Sequence, residues 1–155
     1  MNFYVNEIVQ EKTTDKQYRV LWIDPDNIIL YMLELNNDKA FPEKKVISEL
    51  TEAIILGEWI KKRVDEHIQV VSVEYEKKHY EARDIAWSII NGIVLEEPQV
   101  FEKAFRTKLI KSACEKYGVS YPTIRKYLYK YWSRGKTLDA LLPDYKNSGA
   151  KGKER

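Results

Sequence analysis

The hydrophobic period of this chain changes once, near Glu74, and that change constrains the fold more than any other feature. Before it, apolar residues come in short β-branched and aromatic runs. Phe3-Tyr4-Val5 leads to Ile8-Val9, Tyr18-Arg19-Val20-Leu21-Trp22-Ile23 follows, and then Ile28-Ile29-Leu30-Tyr31-Met32-Leu33. The cluster Asp24-Pro25-Asp26-Asn27 between the last two runs predicts a hairpin. Ser48 as N-cap, acidic residues after it and Gly57 beyond Leu56 predict a short helix, and Trp59-Ile60 and Ile68-Val70-Val71-Val73 predict further strands. After Glu74 the period is helical. Ala82, Ile85, Ala86, Ile89, Ile90 and Ile93 share one face, Glu96-Glu97-Pro98 interrupts it, and Phe101, Phe105, Leu109, Ala113 and Tyr117 continue at spacing four up to Gly118.

These segments imply an α+β chain. Residues 1–72 form a small strand-rich domain, 73–138 a helical domain, and 139–155 a basic linker ending in Ser, Gly, Lys and Glu. No apolar run approaches the ~20 residues of a membrane span, and the amino terminus lacks the pattern of a secretory signal. The single cysteine, Cys114, cannot build a disulfide framework and fits a reducing cytoplasm. Charge is segregated: residues 1–100 carry 12 Lys and Arg against 19 Asp and Glu, whereas residues 101–155 carry 14 against 5. A basic third after an acidic two-thirds points to a polyanionic partner or to a solvated basic face.

Residues 110–131 have the spacing of a helix-turn-helix. Ala113 and Cys114 are small where two helices would cross, Gly118 suits the turn, and Val119 points back to the core. Ser120 is an N-cap, Pro122 falls in the first turn, and Gly135 can end the second helix. At ~100° per residue, Ile124, Tyr127, Leu128, Tyr131 and Trp132 form the core side. Pro122, Lys126, Tyr129, Lys130 and Ser133 form the other side, flanked by Thr123 and Arg125, with no carboxylate from Ser120 to Arg134. A DNA major groove about 12 Å wide admits one helix, and Lys and Arg suit guanine edges and phosphates.

Catalytic signals are weak. His67, His79 and Cys114 lack metal-ligand spacing, Asp24 and Asp26 suit a turn better than a carboxylate pair, and Glu96-Glu97 suits a helix start. Gly149-Ala150-Lys151-Gly152 lacks the spacing of a phosphate loop. No enzyme emerges.

Three stretches carry a family resemblance. Ala140-Leu141-Leu142-Pro143-Asp144-Tyr145-Lys146-Asn147-Ser148-Gly149-Ala150 resembles the segment after the helix-turn-helix of TnsB-type transposases from heteromeric bacterial transposons. Tyr129-Lys130-Tyr131-Trp132-Ser133-Arg134-Gly135 is similar to the end of that family's recognition helix, and Asn6-Glu7-Ile8-Val9 with Tyr18-Arg19-Val20-Leu21 to its opening strands. That family is related to Mu transposase and retroviral integrases. Its members bind transposon ends and then cut and join strands with a metal-dependent acidic triad in a downstream ribonuclease-H-like core. The resemblance thus implies an end-recognition region, cytoplasmic and nucleoid-associated in a bacterium, without catalytic carboxylates or a cofactor of its own. Its partner would be double-stranded DNA of transposon ends, together with other transposition proteins.

The expected DNA contacts are Ser120, Tyr121, Thr123, Arg125, Lys126, Tyr129, Lys130 and Ser133 on the helix, with Lys136, Lys146, Lys151 and Lys153 along the backbone. The rival readings are a helix-turn-helix transcription regulator and a module that recruits another transposition subunit.

Overall fold

The computed structural model describes residues 1–67 and 74–143. Among them, strands β1 (Ile8–Glu11), β2 (Gln17–Ile23), β3 (Ile29–Glu34), β4 (Glu43–Val46) and β5 (Trp59–Lys62) form one antiparallel sheet in the order β4-β3-β2-β1-β5. Helix α1 (Ile47–Ile55) lies between β4 and β5, and α2 (Lys77–Val94), α3 (Lys103–Tyr117) and α4 (Tyr121–Ser133) follow. This is the α+β fold expected. The predicted strand at Ile68–Val73 and the tail from Asp144 lie outside the described residues.

The β2–β3 hairpin turns where the Asp/Pro/Asn cluster predicts. Asp24 Oδ1 accepts the Asp26 N–H at 3.1 Å, the Asp24 carbonyl accepts the Asn27 N–H at 2.8 Å, and Asn27 takes a left-handed φ of 60°. Strand side chains alternate between faces, so the unbroken apolar runs of β2 and β3 bury both. Val20, Leu30 and Met32 join Val9, Tyr18 and the Ile47 and Leu50 side chains of α1 on one face. Leu21, Tyr31 and Leu33 join Ile90, Phe101, Ile110, Ile124, Leu128 and Trp132 on the other. The strand-rich and helical parts therefore share a core.

Several local expectations are corrected. Helix α1 begins at Ile47, directly after β4, and Ser48 does not cap it. The cap position falls on Val46, which has no side-chain acceptor, Ser48 already lies inside the first turn, and the Ile47 N–H donates to the Ile28 carbonyl at 2.8 Å. On α2 the buried stripe is Ala86, Ile89, Ile90, Ile93 and Val94, while Ala82 and Ile85 are exposed. On α3 the core side is Arg106, Ile110 and Ala113 rather than the row through Phe105 and Tyr117, both exposed. Arg106 sits inside because its guanidinium donates to the Val100 and Phe101 carbonyls, both at 3.1 Å. Glu97 does not serve a helix start; it pairs with Lys136 at 2.7 Å.

Residues 139–143, expected in the linker, fold back. Ala140, Leu141 and Leu142 are buried, Arg134 donates to the Leu142 carbonyl at 3.0 Å, and Asp139 pairs with Arg83 at 2.6 Å. The α3–α4 connection follows its punctuation closely. Gly118 caps α3 at φ 67° and ψ 31°, a left-handed conformation that costs glycine little. Ser120 Oγ accepts the Thr123 N–H at 3.3 Å, and Pro122 lies in the first turn of α4. Ala113 is buried in the core that α3 and α4 share. Ala113→Leu should overpack it and lower the unfolding free energy by about 1–3 kcal/mol in a urea titration. Unchanged stability would mean that the site has room to spare.

Candidate nucleic-acid interface

Helix α4 presents its two sides unequally. Ile124, Leu128, Tyr131 and Trp132 are buried and Tyr127 is half-buried, so the core side is the expected one. Opposite them, Pro122 and Lys126 are exposed, and Thr123, Arg125 and Lys130 are half-buried. Ser120 is exposed at the cap, where its hydroxyl also meets that of Thr123 at 2.8 Å. Tyr121 packs partly against the core.

Three expected contacts are held by the protein itself. Tyr129 donates its hydroxyl proton to the Glu34 carbonyl at 2.9 Å and accepts the Asn37 N–H at 3.1 Å, and burial pushes its phenol pKa up. Ser133 is buried but lines the cleft described below, and its carbonyl accepts from Arg19. Lys136 turns its ammonium inward to the Leu21 carbonyl at 2.8 Å and to Glu97. Tyr129 and Ser133 lie on α4 and Lys136 just beyond its end, all against the sheet. The sheet covers one flank of α4, and a helical wheel carries no record of a covering element more than ninety residues away. Lys146, Lys151 and Lys153 lie outside the described residues.

That covering element creates a shape the sequence does not announce. The loop between β3 and β4 stands beside α4, and between them lies a cleft of about 420 Å³. One side is Arg125, Lys126, Lys130 and Arg134 with Pro122, Tyr129 and Ser133; the other is Asp38 and Lys39. Lys39 and Arg134 were not among the expected contacts, because a lone lysine in a polar loop gives no periodic signal.

The helix itself is anchored by one buried cation. Arg19 on β2 is 0% exposed, and its guanidinium uses all five N–H donors. It forks onto Asp65 at 2.6 and 2.9 Å, gives two bonds to the Ser133 carbonyl at 3.1 and 3.0 Å, and one to the Asn6 carbonyl at 3.1 Å. Asn6 in turn donates to the Gly135 carbonyl at 3.0 Å. The carboxyl end of α4 is thereby fixed to the sheet.

Other chemistry-bearing residues have structural partners. His79 Nδ1 accepts the Glu76 N–H at 3.1 Å at the start of α2, and Cys114 packs partly against the core. Among the described residues no three His, Cys, Asp or Glu side chains converge on a point that would hold a metal ion, and no helix is long and apolar enough to cross a membrane.

A three-helix unit with a helix-turn-helix, docked on a five-stranded sheet and presenting a basic cleft, defines a helix-turn-helix protein with an amino-terminal sheet domain. Comparison with known proteins makes the assignment specific. Residues 2–65 match the TnsB N-terminal SH3-like domain, and residues 83–145 match the TnsB second domain. The chain is also 32% identical over 159 aligned positions to the transposon Tn7 transposition protein TnsB of Escherichia coli, an alignment covering 97% of this chain. The chain belongs to the TnsB family. It spans 21% of the length of that relative.

Proposed function

We propose that this chain binds double-stranded DNA at transposon ends, as the end-recognition region of a cut-and-paste transposase. The observation that carries the reading is α4: the second helix of a helix-turn-helix, with an outer face that is basic and free of carboxylates over its whole length. Membership of the TnsB family and the name of the Escherichia coli relative, a transposition protein, support the same context. In this reading strand cutting and joining, with their divalent metal, belong to parts of the transposase outside the region matched. This chain contributes recognition and requires no cofactor.

In this reading Lys126, the exposed cation at the middle of the outer face, meets base edges, whereas flanking cations meet phosphates. Lys126→Ala should therefore narrow the preference for end DNA over random DNA by about 1–3 kcal/mol. Competition binding with two duplexes of equal length measures it. An equal loss for both duplexes would place base reading somewhere other than this helix.

A further inference from the structure

We propose that the β3–β4 loop of the amino-terminal domain is the second half of the DNA-binding surface, with Lys39 as a phosphate contact on the strand that lies in the cleft beside α4. This inference rests on the reading that α4 enters the major groove. It assigns the amino-terminal domain a direct DNA contact that its acidic composition conceals.

The loop is held in place. Tyr129 is bonded to Glu34 and to Asn37 at its base. Phe41 at its far end lies beneath the Arg125 and Arg106 guanidiniums, at 4.8 and 5.2 Å from the ring centre. Inside the loop, Asn36 takes a left-handed φ of 60°, Asn37 Oδ1 accepts the Lys39 N–H at 3.2 Å, and the Asn37 carbonyl accepts the Ala40 N–H at 3.0 Å. Its tip is thus a built turn, and it delivers the exposed Lys39 to the cleft wall facing Lys126 and Lys130.

Geometry then selects the ligand. A helix seated in a major groove has a sugar–phosphate strand along each flank. On the flank where the loop stands, that strand has to pass between loop and helix, through the cleft. Four cations line it from the α4 side or just beyond, one from the loop, and Asp38 is its only carboxylate among the described lining residues. Lys39 makes no ion pair among the described residues, so its charge is open to phosphate. Asp38 opposes the same phosphate and weakens binding to every sequence alike.

The test uses the whole chain, a duplex carrying the transposon's terminal repeats, and a random duplex of equal length. Lys39→Ala is compared with Lys12→Ala, a lysine in the β1–β2 turn beside β5 at the opposite edge of the sheet. Lys39→Ala should weaken both duplexes alike and lower the salt slope by about one. Raising salt fourfold would then cost the parent chain roughly three- to fourfold more affinity than the variant. Asp38→Asn should tighten both duplexes, and Lys12→Ala should change neither affinity nor slope. If Lys39→Ala behaves like Lys12→Ala while Lys126→Ala still narrows the preference for end DNA, the loop inference falls and the recognition helix stands. If the parent chain does not distinguish the duplexes, both fall.

Discussion

Asp65→Ala should lower the unfolding free energy by about 3–5 kcal/mol, measured by guanidinium titration. The size follows from the asymmetry of the pair. Arg19 is fully buried and Asp65 is partly open, so removing the carboxylate leaves a charge inside the protein with only carbonyl partners. For a chain of 155 residues such a loss corresponds to a fall in melting temperature of roughly 6–20 °C. Replacing both partners, Arg19→Met with Asp65→Leu, should recover part of it, because an apolar pair carries no stranded charge. The recovery will be incomplete: the Ser133 and Asn6 carbonyls lose their donor in the double variant. A loss below 1 kcal/mol in Asp65→Ala would show that the guanidinium is satisfied without its carboxylate.

Trp132→Ala should cost a similar amount, about 3–5 kcal/mol. The indole is 3% exposed, lies 5.7 Å from the Phe101 ring, and fills the shared core of sheet and helices. Trp132→Phe should restore most of the stability. The indole Nε1–H is buried without a hydrogen-bond acceptor among the described residues, so phenylalanine forfeits packing volume but no bond. Thermal unfolding of the two variants beside the parent chain reads both effects. Equal losses for alanine and phenylalanine would mean that the Nε1–H has a partner worth keeping.

Two of the turns are legible in the sequence, whereas the Ser48 cap and the covering of one element by another are not. Asp24-Pro25-Asp26-Asn27 and Gly118-Val119-Ser120 specify their turns through backbone chemistry that needs no distant partner, and both turns form as read. Strand β4 was missed because Glu-Lys-Lys-Val at a sheet edge carries charge and no apolar alternation. On α3 Ala113 faces the core as its spacing predicts and Leu109 packs beside it, but Phe105 and Tyr117 are exposed, because Arg106 and Ile110 take inward sites and an apolar pattern skips the arginine. On α4 the core side was recoverable from its period. The internal bonds of Tyr129, of the Ser133 carbonyl and of Lys136 just beyond the helix are not, because their partners lie on β2, β3, the β3–β4 loop and the α2–α3 connection.

The shared core has a consequence for how the chain is made. Arg19 and the Ser133 carbonyl it binds are 114 positions apart. At ribosomal speeds of about 5–20 residues per second, roughly 6–23 s separate the synthesis of the two. During that interval the face of the hairpin bearing Leu21, Tyr31 and Leu33 lacks its full helical cover, so the nascent sheet presents an adhesive surface. Slow codons between α1 and α4 would lengthen that exposure, and chaperone demand should rise with them.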